Sequence, residues 1–591
     1  MYLEKINAPE DVKKLNIDEM HALAAEMRKA LLFRLSKHGG HFGPNFGMVE
    51  ATIAMHYVFD SPKDQIVYDV SHQSYPHKML TGRKDAYLYE EHFDDVSGYT
   101  NPEESEHDFF NVGHTSTSIS LASGLAKARD LNGGTGNVIA VIGDGSLSGG
   151  EALEGLDFAG EMDTNFIIVV NDNDMSIAEN HGGMYENLKL LRETKGQAEC
   201  NLFKAMGLSY VYVDQGNDVT ALIEAFSQVK DSKTPVVVHI RTLKGKGYAP
   251  AEKNKEQWHY SGPFHIETGE PLGTGNEGES YEEITAQYLM DKMKKDPKVL
   301  GITSATPTVM GFTADRRKEA GSQFIDVGIA EEHAMTFAAG LAAGGMKPVF
   351  AVYSSFLQRA FDQTIHDVCL QNLPVVIAVD RAGLVGSDGE THQGVFDLSF
   401  LSLIPNLSIL SPKNRWEMAD MVRFAVDFQY PIALRYPRGE AYEGLKEFRA
   451  PIEYGKSELL YEESEIAVMF VGHMSFLAEQ VREDLKAAGY QCSLINARFV
   501  KPLDTERIRK ISENHRILVT IEENVLTGGF GEQVEDFVMR EGIPLKVCTI
   551  GISDDYVEHG NVDVLRKEVG LDRESIVKKV IADDQRIKEE K

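Results

Sequence analysis

The chain has 591 residues and carries 60 Lys and Arg against 91 Asp and Glu, a formal net charge of −31 at neutral pH. That surplus excludes a sequence-independent nucleic-acid binder, which needs a basic face to displace counterions, and it excludes a polybasic membrane anchor. At 42% hydrophobic and 26% charged residues the composition is that of a globular chain, long enough for about three or four domains.

The opening stretch, MYLEKINAPEDVKKLN, lacks the apolar core of a secretory signal. No run approaches the ~18 consecutive apolar residues of a membrane span. Cys200, Cys369, Cys492 and Cys548 are scattered, with no CxxC pair, so neither metal-ligand spacing nor a disulfide framework is supported. The expectation is a soluble, cytoplasmic protein with no nucleic-acid or membrane partner.

In chain order, apolar runs at 137–143, 165–170, 234–240, 374–379, 465–471 and 516–521 read as strands, separated by helical patterns. They lack polar alternation, as in parallel sheets covered by helices on both faces. The predicted class is therefore α/β, with mainly parallel sheets flanked by helices in several copies. A Gly-, Glu- and Thr-rich stretch at 266–280 reads as a linker, with a helix following at 281–294. A second composition shift lies near 440–455. The expected domains are 1–275, 276–450 and 451–591. In the last of them, 472–489 reads as an amphipathic helix packed on a core.

The segment 137–177, NVIAVIGDGSLSGGEALEGLDFAGEMDTNFIIVVNDNDMSI, is the most informative. It reads strand, Gly-rich turn, helix, strand, polar turn. Asp144 follows the first strand and Asn173 the second, 29 residues on. In a parallel βαβ unit both turns leave the carboxyl edge of the sheet, where ligands bind. Two hard oxygen ligands, completed by a backbone carbonyl and a phosphate, suit Mg²⁺. Gly143 and Gly145 allow close approach of a phosphate, and the amides of a helix start favour an anion. The spacing does not fit the GxGxxG of a dinucleotide fold.

GDG followed by Asn after about thirty residues resembles a thiamine diphosphate and Mg²⁺ motif. Further stretches narrow this: KHGGHFGPNFGMVE (37–50), DVSHQSYPHKMLTGR (69–83), GHTSTSIS (113–120), DVGIAEEHAMTFAAGLA (326–342), YSSFLQRAFDQ (353–363), DRAGLVGSDGETHQG (380–394), RYPRG (435–439) and VEHG (557–560). Together they resemble the 1-deoxy-D-xylulose-5-phosphate synthase family of transketolase-like enzymes, over nearly the whole chain. The resemblance implies a diphosphate- and Mg-binding domain at 1–275, a pyrimidine-binding domain at 276–450 and a C-terminal transketolase-like domain at 451–591. It places the cofactor between the first two and implies a homodimer. It also implies that pyruvate loses CO₂ and the remaining two-carbon unit condenses with D-glyceraldehyde 3-phosphate. The product, 1-deoxy-D-xylulose 5-phosphate, serves isoprenoid, thiamine and pyridoxal phosphate biosynthesis.

The site residues follow from the same resemblance. Glu331 would bind the pyrimidine nitrogen, held by close backbone packing in AAGLAAGG (338–345). Asp144, Asn173 and the carbonyl of Met175 would hold Mg²⁺. Gly113, His114, Thr115, Ser116 and Thr117, with Gly143, Gly145, Ser146 and Ile177, would line the cofactor, and Phe356 and Arg359 would complete its pocket. Lys253 and His259 match a loop that closes near the diphosphate. His41, His72, His114 and His392 are placed for proton transfer near neutral pH. Tyr353, Arg381, Asp388, His392 and Arg438 would take the substrate, arginine suiting the phosphate by its bidentate fork.

Four positions depart from the family pattern. Asn101, Pro102 and Glu103 stand where relatives carry a Lys-Arg pair; a long insertion after 177 is shortened, so that the segment reads as running almost directly into the next strand; Asn217 takes a His position; and Ser71 replaces Gly. A ketol transfer between other sugar phosphates and a catalytically silent paralogue are the competing readings. The silent paralogue predicts loss of Glu331, Asp144 or Asn173, and all three are present.

Overall fold

A computed structural model describes residues 1–272 and 278–589. The expected boundary at 275/276 lies outside the described residues. The chain divides into two compact units, one of residues 1–275 with 328–330, the other of residues 276–327 with 331–591.

The first unit is built on five parallel strands: β1 (Gln65–Tyr68), β2 (Val138–Gly143), β3 (Ile167–Asp172), β4 (Ser209–Val213) and β5 (Val236–Arg241), in the order β1-β2-β3-β5-β4. Strands β2 and β3 are buried along most or all of their length, which explains their unbroken apolar sequence. Helices pack on both faces, with Leu222 and Phe226 on one side and Ile119, Leu156 and Phe203 on the other. The segment after 177 does not run straight into β4. It forms helix Gly183–Glu193, whose Leu188 and Leu191 at i,i+3 bury against the sheet, and the short turn of helix Leu202–Ala205, which buries Phe203.

The second unit holds two sheets. In one, β6 (Val299–Thr303), β7 (Phe324–Asp326), β8 (Lys347–Tyr353), β9 (Val376–Asp380), β10 (Ser408–Leu410) and β11 (Ile432–Arg435) are parallel. The other contains β12 (Glu458–Tyr461), β13 (Glu465–Phe470), β14 (Cys492–Asn496), β16 (His515–Val525) and β17 (Lys546–Ile552), in the order β12-β14-β13-β16-β17. Only β12 runs antiparallel there. A further strand, β15 (Phe499–Lys501), leaves this sheet and pairs antiparallel with β10, so a segment beyond 451 closes the edge of the preceding sheet. Helix Ser475–Ala487 buries Leu477, Ala478, Val481 and Leu485 against its sheet, as its period predicts. The α/β class and the mainly parallel sheets match the sequence reading.

Candidate active site

In the first unit the two turns expected to converge do so. β2 and β3 are neighbours with Gly143 opposite Asn171, so both chains leave the same sheet edge. Asp144 is 1% exposed. Its carboxylate accepts from the Asn180 side chain at 2.8 Å and the Met175 amide at 3.1 Å, with the Asn173 amide at 3.5 Å. Burial and the nearby charge of Asp172 push Asp144 up to about 7. Asp172 is itself held by Arg192 and by His239, each at 2.8 Å.

The side-chain oxygen Oδ1 of Asn173 is buried without a hydrogen-bond partner. Buried polar atoms are nearly always paired, so this one asks for a ligand. A carboxylate, an amide oxygen and nearby backbone on one edge form a hard oxygen donor set, and the residues fit a divalent cation of the Mg²⁺ type. A Cβ at Gly143 would meet nothing within 4 Å, whereas one at Gly145 would press on Ser176 at 3.0 Å. Packing therefore requires the second glycine and leaves room for a side chain at the first.

Ser116 has φ +73° and donates through Oγ to the Ser146 carbonyl at 2.9 Å. Its own amide and that of Ser118 bind the buried Asp69 carboxylate at 2.8 and 3.0 Å, fixing the turn that carries Gly113, His114, Thr115 and Thr117 into helix Ser118–Leu131. Ser148 Oγ accepts from the Ile329 amide at 3.1 Å, so residues 328–330 pack with this unit.

Three of the expected histidines gather. The rings of His41 and His72 lie 5.1 Å apart, His41 and His259 5.8 Å, and His72 and His259 5.3 Å, with Tyr99 and Tyr260 on His41. Burial and the charge of Lys244 hold His259 well below the usual imidazole range. Lys244 also acts on Asp144, so it lies between the histidines and the Gly-rich turn, and burial pushes its amine down to about 7. Its Nζ donates to the Ser176 carbonyl at 2.6 Å.

Lys253 is exposed at the end of its helix, while Lys255 reaches the Asn173 carbonyl at 3.4 Å. Sequence reasoning passed over Lys244, Lys255 and Asn180. TLKGKG, which sets Lys244 directly before a glycine just after β5, was the available signal for the first. Ile177 is half-buried beside Ala178, which accepts from the Ser176 amide at 3.1 Å.

The second unit holds the remaining residues. Glu331 opens helix Glu331–Ala343 and is 4% exposed. Burial pushes its carboxyl up to about 7, opposed by the charge of Arg359. The packing behind it is carried by alanines, since Ala338, Ala339 and Ala342 are buried while a Cβ at Gly340 would meet nothing within 4 Å.

Tyr353 ends β8, and the Arg381 guanidinium lies 4.0 Å above its ring. Arg381 follows β9 at φ +56°, a left-handed conformation that turns the chain at the sheet edge. Phe356 is half-buried, with its ring 5.1 Å from Tyr353 and 5.4 Å from His392. Arg438 approaches Asp388 at 3.6 Å. The unit thus brings together Tyr353, Phe356, Arg381 and His392, with Arg438 and Asp388 acting on that group, and places the Arg359 charge near Glu331.

This topology and these residues are accompanied by matches to known families. Residues 278–443 match the transketolase pyrimidine-binding domain and 455–576 the transketolase C-terminal domain, which makes the chain a transketolase-type transferase. Residues 3–201 and 189–242 match the model described as 1-deoxy-D-xylulose-5-phosphate synthase. A protein of that name from Lachnoclostridium phytofermentans is 45% identical over 98% of this chain and 98% of its own. One from Caldanaerobacter subterraneus is 44% identical over 99% of each chain, and one from Geobacter sulfurreducens 43% identical over 97% and 96%. The chain belongs to the 1-deoxy-D-xylulose-5-phosphate synthase family.

Proposed function

We propose that this chain catalyses the thiamine diphosphate-dependent condensation of pyruvate with D-glyceraldehyde 3-phosphate, releasing CO₂ and giving 1-deoxy-D-xylulose 5-phosphate for isoprenoid and thiamine biosynthesis. The observation that carries the site reading is the buried, unpartnered Asn173 oxygen beside the buried Asp144 carboxylate, within a chain of this family.

Thiamine diphosphate, when bound, supplies the electron sink that decarboxylation of a 2-oxo acid requires. The chain's residues do the rest. Asp144, Asn173 and the Met175 carbonyl would hold Mg²⁺, and Lys244 and His114 would hold the diphosphate end, with Ser116 fixing the turn that lines it. Glu331, whose burial raises its carboxyl to about 7 and keeps water away, would hold a proton for the pyrimidine nitrogen. Phe356 would pack against the pyrimidine ring, with the Arg359 charge acting on Glu331. His41, His72 and His259 cluster in the first unit, where burial keeps the His259 ring neutral and able to accept a proton. Arg381 and Arg438 bind the aldehyde's phosphate, Asp388 its hydroxyls, and His392 moves a proton at its carbonyl oxygen.

The same reading assigns 1–275 to diphosphate and Mg²⁺ binding, 276–450 to pyrimidine binding and 451–591 to the C-terminal domain. It also takes the protein to be a homodimer, as the family resemblance implies. No helix among the described residues is long and apolar enough to cross a membrane, and the four cysteines are free thiols, which supports a reducing, cytoplasmic setting.

The deciding experiment incubates the protein with pyruvate and D-glyceraldehyde 3-phosphate, with and without thiamine diphosphate and Mg²⁺, and identifies the sugar by mass. A cofactor-dependent deoxyxylulose phosphate is expected. Turnover only with a ketose phosphate donor would replace this reading with a ketol transfer.

A further inference from the structure

The loop that carries Asp388 and His392 is held from the third sheet. Its base is closed by two hydrogen bonds between Gly383 and Gly394, at 2.7 and 2.8 Å. Just above, the Leu384 amide donates to Glu523 Oε2 at 3.1 Å, and the Val385 amide to Gln393 Oε1 at 2.7 Å. Gln393 is 2% exposed and passes the contact on, its Nε2 donating to the Glu558 carbonyl at 3.0 Å. The 557–560 turn then binds back, with the Gly560 amide on the Gly386 carbonyl at 3.3 Å. At the tip, a Cβ on Gly389 would stand 3.1 Å from His559.

Glu523 itself is fully engaged. His473 and Arg566 bind its two oxygens, each at 2.7 Å, and a Cβ at Gly383 would collide with it at 2.0 Å. Beyond the loop, Val525 and Asn524 continue the seam, binding the Val395 carbonyl and the Leu398 amide at 2.8 and 3.1 Å. The carboxyl end of β16 and the 557–560 turn therefore form a cradle for residues 383–398. A loop closed at its base and tied at its crown has few conformations left, so the groups on it are preorganised.

We propose that Gln393 and Glu523 are positioning residues for the aldehyde acceptor, through which the third sheet locks the 383–394 loop and holds Asp388 and His392 in place. This rests on the acceptor reading given above. Neither residue touches substrate; each acts through the loop.

The test uses the full-length protein with thiamine diphosphate and Mg²⁺. In Gln393→Met the side chain keeps its length but loses both hydrogen bonds. KM for D-glyceraldehyde 3-phosphate should rise tenfold or more, while KM for pyruvate and the half-saturating thiamine diphosphate concentration stay within twofold. Amide hydrogen exchange should quicken in 383–394 and not in β13 or β16. Where Gln393→Met fails to fold, Gln393→Asn, which shortens the reach by one methylene, takes its place. An unchanged acceptor KM with unchanged exchange overturns the proposal, as does an equal rise in both substrate and cofactor constants, which would mark a purely structural role. If the native protein makes no deoxyxylulose phosphate, the acceptor reading fails instead, and exchange in 383–394 still decides whether Gln393 locks the loop.

Discussion

Asp144 and Glu331 are both buried carboxyls pushed up to about 7, and they differ in their surroundings. Asp144 stands among hydrogen-bond donors and beside a second negative charge, that of Asp172. Two acids crowded at one sheet edge are relieved by a cation, and the unpartnered Asn173 oxygen offers it a further ligand. Glu331 has burial as its main influence and one arginine, Arg359, opposing it. That setting favours keeping a proton rather than binding a metal. Similar pKa values thus arise from two arrangements built for different partners, and the neighbours, not the value, tell the roles apart.

The largest expected effect separates the two directly. Glu331→Ala should lower turnover by about 10²- to 10⁴-fold, the usual weight of a positioned acid or base, with thiamine diphosphate still bound in a calorimetric titration. Turnover within tenfold of the native value would remove Glu331 from the chemistry.

Next comes the pH dependence of Glu331. Its folded pKa lies above the unfolded one, so the unfolded chain releases its proton first and stability falls as pH rises from about 4.5 to about 7. Glu331→Gln has no such penalty. Its stability relative to the native protein should grow by up to about 3 kcal/mol between pH 4.5 and 8, measured by denaturant midpoints. A pH-independent difference would show that the carboxyl is not held protonated.

Asp144→Asn tests the other arrangement. With thiamine diphosphate and Mg²⁺ at a hundredfold over Kd, the native protein should gain about 2.7 kcal/mol, and the variant should lose most of that gain while its ligand-free stability holds or rises. An equal thermal shift in both proteins would place the metal elsewhere.

The smallest effect concerns the loop before His72. Ser71 sits at φ +67°, where relatives are expected to carry glycine, and its hydroxyl binds the Val112 carbonyl and the Thr100 amide, both at 2.8 Å. Ser71→Ala keeps the strain and loses both bonds, costing about 1–3 kcal/mol, whereas Ser71→Gly also relieves the backbone and should cost about 1 kcal/mol less. Thermal denaturation of both variants compares them, and equal losses would leave the backbone out of account.

Much of the frame was legible in advance. Apolar runs without polar alternation announced buried parallel strands, and the turn residues of 143–146 and 171–175 announced one sheet edge, because local sequence carries both signals. The histidine cluster was legible only as separate motifs, since 218 residues separate His41 from His259 and nothing local relates them. The helices between 178 and 208 were missed because comparison with longer relatives stressed what was absent over the i,i+3 spacing of Leu188 and Leu191.

By itself, the amino-acid sequence determined the α/β class and the family, since periodicity, turn chemistry and short motifs are written along the chain. Tertiary structure alone decided which lysines reach the turn after β3, that Glu331 is buried so that its carboxyl is pushed up, and that β16 cradles the 383–398 loop. Burial, charge and long-range hydrogen bonding are properties of neighbours brought together from distant positions, and no local stretch of sequence contains them.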